Sequence, residues 1–263
     1  MAEAVDIEQT ANTLFKSFTR TDSVETALEI TPDLAIAVQE YYIALLRPTW
    51  GMDVGYIAQA TDEMNVAKGA PTGILLENMF TGTRAVIDRT LGINMHAAAE
   101  LYFRVKSENL NIAATREEAL AALDVVIPGV RLSDALLPES VGQDQTLHSA
   151  ANLEVRMCVL GGPLKLSSEQ NWNERLANFS VVMSDQDKQQ IATLNPSMSV
   201  HPLDAVLATR DALLQRGIQV VGGDILAVGT LTDGYRIENL TRLRAEFKGL
   251  SDEQQVFVYM GFR

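Results

Sequence analysis

The sequence has 263 residues, 47% of them hydrophobic, with 34 acidic and 21 basic side chains and a net charge of −13. That length and apolar content support a sizeable core in one elaborated domain or two small ones, and exclude a disordered, collagenous or disulfide-scaffolded chain. So acidic a chain repels phosphate backbones, and no cluster of Lys and Arg forms a basic stripe, so nucleic acid is not an expected partner.

Cys158 is the single cysteine, which excludes an internal disulfide and fits a reducing compartment. The opening MAEAVDIEQTANTLFKSF has no basic n-region and no continuous apolar h-region, so no signal peptide is expected. No stretch approaches the length of about 18 apolar residues that a membrane span needs. The expectation is a soluble, cytoplasmic protein with no membrane partner.

The first 47 residues read as helical. Thr31 and Pro32 suit an N-cap and first turn, and Leu34, Val38, Tyr41 and Leu45 recur as one helical face. Gly51 to Thr61 reads as a turn into a short strand, and Lys68 to Gly73 as a loop by its Gly and Pro content. Met95 to Val105 predicts a strand with Leu101, Phe103 and Val105 on one face. Thr115 and Glu118 form a capping-box pattern opening a short helix through Leu123. Val125 to Leu132 reads as a strand interrupted by Pro128 and Gly129, and Leu153 to Leu160 as a strand ending at Gly161. Pro202 to Arg216 predicts a helix opened by proline, buried along Leu203, Val206, Leu207 and Leu214, and stopped by Gly217. Strands are expected near Gln219–Val221, Asp224–Val228, Arg242–Phe247 and Gln255–Tyr259. The pattern is that of an α+β protein: a helical N-terminal segment over residues 1–50, packed on a strand-rich region over 51–263 as one structural unit.

Several short patterns occur in a recognisable order. His201-Pro202-Leu203 precedes a helix that ends Arg216-Gly217, followed by Gly223-Asp224-Ile225-Leu226 and Gly229-Thr230-Leu231-Thr232. Upstream stand Gln39 in a helix, then Gly55-Tyr56-Ile57-Ala58-Gln59-Ala60-Thr61, then Pro71, Gly73 and Leu75. Further on come Ala98-Ala99-Glu100-Leu101-Tyr102-Phe103, then Pro128-Gly129-Val130-Arg131-Leu132-Ser133-Asp134, then Ala151-Asn152. From about Thr31 to Phe262 this order resembles the 2-keto-4-pentenoate hydratase and oxalocrotonate decarboxylase family of the fumarylacetoacetate hydrolase superfamily. The resemblance implies a rolled β-sandwich with a helical N-terminal part. It also implies an activity on small 2-keto acids, and oligomers that in some members are mixed.

Family members hold Mg²⁺ or Mn²⁺ with three carboxylates, because hard cations need charged oxygen ligands. At the matching positions this chain has Ala98, Glu100 and Arg131, so one carboxylate remains. The two replacements add three units of positive charge, and a divalent ion about 4 Å from Arg131 would be repelled by roughly 8 kcal/mol at an effective dielectric of about 20. The expectation is that the family metal site is lost and no cofactor is held. The family's catalytic lysine becomes Ile57, and its substrate loop is shortened and keeps no matching carboxylate, although Asp62 and Glu63 follow near by.

Two readings of Glu100 and Arg131 stand side by side: a salt bridge filling the old metal cavity, or a base beside a fixed cation that grips a carboxylate or enolate oxygen. His148 and His96 flank the strands as proton carriers or as solvated caps. Tyr102, Asn152 and Thr230 fall at positions near the family ligand, though Tyr102 also suits outward packing and the other two suit turns. Cys158 reads as an inert core thiol. Three functions remain: a metal-independent lyase, isomerase or cyclase on a small keto acid, a metal-dependent hydratase with displaced ligands, and a non-catalytic scaffold that pairs with itself or with a catalytic paralogue.

Overall fold

The structure, a computed structural model, describes residues 6–20, 24, 30–59, 71–142, 144–167, 170–194, 200–228 and 231–263. Two N-terminal helices, α1 (Ile7–Arg20) and α2 (Pro32–Trp50), lead into β1 (Asp53–Ala58), β2 (Thr72–Leu76), β3 (Phe80–Gly82), β4 (Val86–Ile87) and β5 (Met95–Val105). The middle of the chain forms α3 (Arg116–Ala121), β6 (Leu123–Asp134), α4 (Gln145–Ala150), β7 (Val155–Leu160), β8 (Leu164–Lys165) and α5 (Trp172–Asn178). The last part adds β9 (Ser180–Ser184), β10 (Gln190–Thr193), α6 (Pro202–Gln215), β11 (Ile225–Val228), β12 (Tyr235–Arg236), β13 (Arg242–Lys248) and β14 (Val256–Phe262).

The larger sheet runs β2-β1-β11-β5-β6-β7-β3, with β12 on β5 and β8 on β6, and the second runs β10-β9-β13-β14-β4. Their alternating strands sort the side chains into two cores. Leu101, Phe103 and Val105 of β5 join Val258 and Met260 of β14 and Leu203 and Val206 of α6 in the first. Tyr102 of β5 and Ile57 of β1 join Leu14 of α1 and Val38 and Tyr42 of α2 in the second. The α+β architecture, helices packed on curled mixed sheets, is as the sequence implied.

Local chemistry explains most boundaries. Thr115 accepts from the Glu118 amide while the Glu118 carboxylate accepts from the Thr115 amide, a full capping box at the start of α3. That helix stops at Ala121, short of the expected Leu123, because Leu123 already pairs with Val105 as the first residue of β6. Strand β6 is continuous through Pro128 and Gly129, contrary to the expected interruption. Pro128 sits where the outer neighbour of β6 changes from β7 to β8, where a missing N–H costs the ladder least.

Other expectations need correction. The buried face of α2 is Ala35, Val38, Gln39, Tyr42, Ile43 and Leu46, one position round from the expected stripe, and Tyr41 is exposed. Polar Gln39 on the inner face disguised the true stripe. Gly73 lies inside strand β2, not in a loop, and Lys68 to Ala70 fall outside the described residues. The Leu153 strand begins only at Val155, and Gln219–Val221 is irregular. On α6, Leu207 and Leu214 are half-buried, whereas Leu213 is fully buried. No helix among the described residues is long and apolar enough to cross a membrane.

Candidate functional site

The site is built on the two long neighbouring strands β5 and β6. Their antiparallel register sets Ala98 opposite Arg131 and Glu100 opposite Gly129, so all four share one face. The next strand over sets Cys158 opposite Arg131, and on the other side Ala227 and Ile57 continue the same face beyond Tyr102. The three positions at which the resemblance expects carboxylates lie close together, and they hold a methyl group, one carboxylate and one guanidinium.

Glu100 is 1% exposed and Arg131 is 7% exposed. Arg131 Nε lies 3.3 Å from Glu100 Oε1. Neither Glu100 oxygen accepts an aligned hydrogen bond among the described residues, and the neighbouring Tyr102 hydroxyl is likewise unaligned. Burial raises the Glu100 pKa, and the Arg131 charge and the Tyr102 hydroxyl beside it work in the opposite direction. Burial also holds the Tyr102 phenol far above its ordinary value and pushes the Cys158 thiol up to about 12. Cys158 is thus inert as a nucleophile. The Tyr102 ring lies against the Gly129 Cα, where a β-carbon would meet its Cδ2 at 2.9 Å, and edge-on to Phe80 with centroids 6.2 Å apart.

Among the described residues no group of three or more His, Cys, Asp or Glu side chains is placed to hold a metal ion. Ala98, Glu100 and Arg131, where the resemblance expects metal ligands, do not fit a hard divalent cation, since a single carboxylate faces a guanidinium.

Elsewhere the expected site residues serve the frame. Asn152 Oδ1 accepts from the Ile74 amide at 2.7 Å, and its Nδ2 donates to the Ile74 carbonyl at 2.9 Å, so the side chain pairs with β2 as another strand would. It opens a left-handed run of Asn152, Leu153 and Glu154, with φ of 56°, 53° and 55°. Side chains lose about 1–2 kcal/mol each in that region, and the Asn152 and Glu154 contacts hold the run in place. His148 contacts Glu154 Oε2 through Nδ1 at 3.1 Å and the Gly142 carbonyl through Nε2 at 3.0 Å. Its electrostatic neighbours are Glu154 and Asp144, not Glu100. Among the described residues, His96 Nδ1 reaches the Asn94 carbonyl at 3.0 Å. Thr230, Asp62 and Glu63 lie outside the described residues.

The His148 contacts carry a pH dependence. Both ring nitrogens face acceptors, so the protonated ring is favoured, and the Glu154 hydrogen bond raises its pKa above the ordinary 6.5. A raised folded pKa gives stability that is complete below the unfolded value and is lost as pH rises through the folded one. His148→Ala is expected to lower stability by about 1 kcal/mol near pH 6 and by progressively less at higher pH. Melting curves of both proteins across that range check it; a difference that grows with pH would contradict it.

Solved structures share this arrangement of strands. The 4-oxalocrotonate decarboxylase from Pseudomonas putida G7, complexed with magnesium and adipate, superposes with a TM-score of 0.81 at 18% identity, over 99% of this chain and 100% of that one. The chain has the fumarylacetoacetate hydrolase fold. A fumarylacetoacetate hydrolase family protein from yeast matches at TM-score 0.56 and 14% identity over 79% of this chain and 91% of that one. The fumarylpyruvate hydrolase from Pseudomonas aeruginosa, in complex with Mn²⁺ and pyruvate, matches at TM-score 0.54 and 12% identity over 79% and 89%. No family model and no curated protein matches the sequence. At these identities the likeness is one of fold, and the fumarylacetoacetate hydrolase fold puts Ala98, Glu100 and Arg131 on one face of its larger sheet.

Proposed function

We propose that the chain acts as a metal-independent lyase or isomerase/cyclase on a small 2-keto acid or a related enolisable compound. The observation that carries this is the Glu100–Arg131 pair: a buried carboxylate in 3.3 Å contact with a guanidinium, on the sheet face that also carries Tyr102 and Cys158. Burial raises the Glu100 pKa above the ordinary carboxylate value, the direction in which a carboxylate becomes a stronger base.

In the proposed step Glu100 removes a proton from the carbon next to the keto group. The C–H electron pair forms the carbon–carbon double bond, and the charge moves to the keto oxygen, held by the Arg131 fork. Reprotonation elsewhere, or departure of a group from the neighbouring carbon, completes the reaction. One similar structure, the fumarylpyruvate hydrolase, holds pyruvate, which supports the substrate class. Tyr102 would orient the carboxylate of Glu100; Asn152 and His148 would serve only to fix the surrounding frame.

One observation favours a second reading, a non-catalytic scaffold that assembles with its own copies or with a catalytic paralogue. Ile57 occupies the family's lysine position, is 1% exposed and packs in the second core, so it moves no proton. A thermal-shift series with pyruvate, 2-oxobutanoate and oxalate, in chelator and in Mg²⁺, separates the two. The enzyme reading expects a rise of about 5 °C in chelator at ligand near 100 times Kd, absent in Arg131→Ala. No shift with any ligand, with or without metal, would favour the scaffold.

A further inference from the structure

We propose a second ligand site, for a small phosphate ester, on the outer face of the second sheet between Arg242 and the β9–β10 turn. A concavity of about 450 Å³ lies there, lined by Ser184 of β9, Lys188 of the turn, Gln190 of β10, Arg242 and Arg244 of β13, and Tyr259 of β14. Its volume falls within the usual range for small-molecule pockets, about 300–1,000 Å³. The opposite face of the same strands, with Ala245, Phe247, Val258 and Met260, packs in the first core, whereas Tyr102 beside Glu100 packs in the second. The concavity is therefore separate from the Glu100–Arg131 site.

The strand register builds the lining. Gln190 pairs with Ser184, Ser184 with Arg244, and Arg244 with Tyr259, so four polar side chains form one row across four strands. Neighbouring strands stand about 4.8 Å apart, so the row spreads its hydrogen-bonding groups over about 14 Å. Arg242 shares that face, two residues along β13 from Arg244. Ser184 and Tyr259 are half-buried and Gln190 is exposed, and none of the three uses its side chain in a hydrogen bond among the described residues. Arg242 and Lys188 are exposed and make no ion pair among the described residues.

Two carboxylates share the concavity, and neither takes up these two cations. Asp185 Oδ1 accepts from the Asp187 and Gln189 amides at 2.9 and 2.8 Å, and the Asp185 carbonyl accepts from the Lys188 amide at 3.2 Å. These bonds tie the Asp185 charge into the turn and fix the backbone that carries Lys188. Glu246 Oε2 stands 3.8 Å from Arg244 Nη2, beyond hydrogen-bond reach, and the Arg244 guanidinium lies 5.1 Å from the centre of the Phe257 ring. Arg242 and Lys188 are thus the cations left for a ligand, on a chain whose net charge is −13. Hydroxyl, amide and cationic donors meet here from four strands and the turn, not from one plane. A planar carboxylate satisfies one pair of such donors, whereas a phosphate presents three acceptor oxygens and close to two negative charges.

The test is a titration of the full chain with inorganic phosphate and with acetate, followed by calorimetry and by backbone amide resonances. Phosphate is expected to bind at least about tenfold more tightly than acetate, the worth of one further charge-assisted hydrogen bond. It should shift the amides of Ser184, Lys188 and Arg242. Arg242→Gln and Lys188→Gln alter exposed side chains, so both should keep the fold, and each should weaken phosphate by about fivefold. Glu246→Gln should tighten it by releasing Arg244, and Arg236→Gln, an exposed arginine on β12, should leave it unchanged. The proposal is overturned if no saturable shift appears, if phosphate binds wild type and the Arg242→Gln/Lys188→Gln double variant equally, or if Arg236→Gln weakens it as much.

Discussion

Glu100→Gln is expected to destabilise the protein by about 3 kcal/mol, because it leaves the Arg131 guanidinium buried without its counter-charge. Burial raises the wild-type Glu100 pKa, so its carboxyl also becomes neutral as pH falls, and that loss should be largest at high pH and shrink as pH drops through the raised value. Arg131→Met acts through the carboxyl instead. It removes the charge that holds the Glu100 pKa down against burial. A carboxyl whose folded pKa stands above its unfolded value gives stability that is complete below the unfolded value and fades as pH rises through the folded one. The arginine substitution should therefore cost little near pH 5 and about 3 kcal/mol near pH 8. The double substitution Glu100→Gln/Arg131→Met should recover most of the loss, since an uncharged pair needs no partner. Urea denaturation of the four proteins at both pH values measures this cycle. Additive single losses at the higher pH would show that the two side chains are not coupled.

The second large effect concerns the frame that carries the site. Gly55 of β1 faces Ile225 of β11 across a parallel pair, beside a register shift between Asp53 and Gly55. An added β-carbon would fall on the Ile225 carbonyl oxygen and within 2.9 Å of its carbonyl carbon and Cβ. These are backbone and branched-carbon atoms inside a sheet, with no flexible side-chain end to yield. Gly55→Ala is expected to cost about 3 kcal/mol or more, the upper end of overpacking losses, by forcing β1 from β11. Gly82→Ala provides the control, since nothing lies within 4 Å of its β-carbon. It should change stability by no more than about 0.5 kcal/mol. Equal denaturation midpoints for the two variants would contradict the close approach at Gly55.

Local signals carried far in this sequence. Thr115 and Glu118 sit three apart with a helix to follow, and Leu101, Phe103 and Val105 recur at every second position, so α3 and β5 are legible without any tertiary knowledge. The family resemblance placed Ala98, Glu100 and Arg131 together, and the β5–β6 register does the same. What stayed hidden depends on partners far along the chain. Pro128 looks like a strand breaker until β7 and β8 are seen to change places beside it. Asn152 looks like a ligand-binding amide until its pairing with Ile74, 78 residues away, is seen. The left-handed run from Asn152 to Glu154 has no glycine to announce it.

The chemistry assigned to Glu100 and Arg131 is most directly tested by proton exchange. In chelator and D₂O, the protein should wash deuterium into the carbon next to the keto group of 2-oxobutanoate, read by proton NMR, and Glu100→Gln should abolish that exchange while still folding. Exchange that appears only on adding Mg²⁺ or Mn²⁺, or that survives Glu100→Gln undiminished, would contradict a metal-independent base at Glu100.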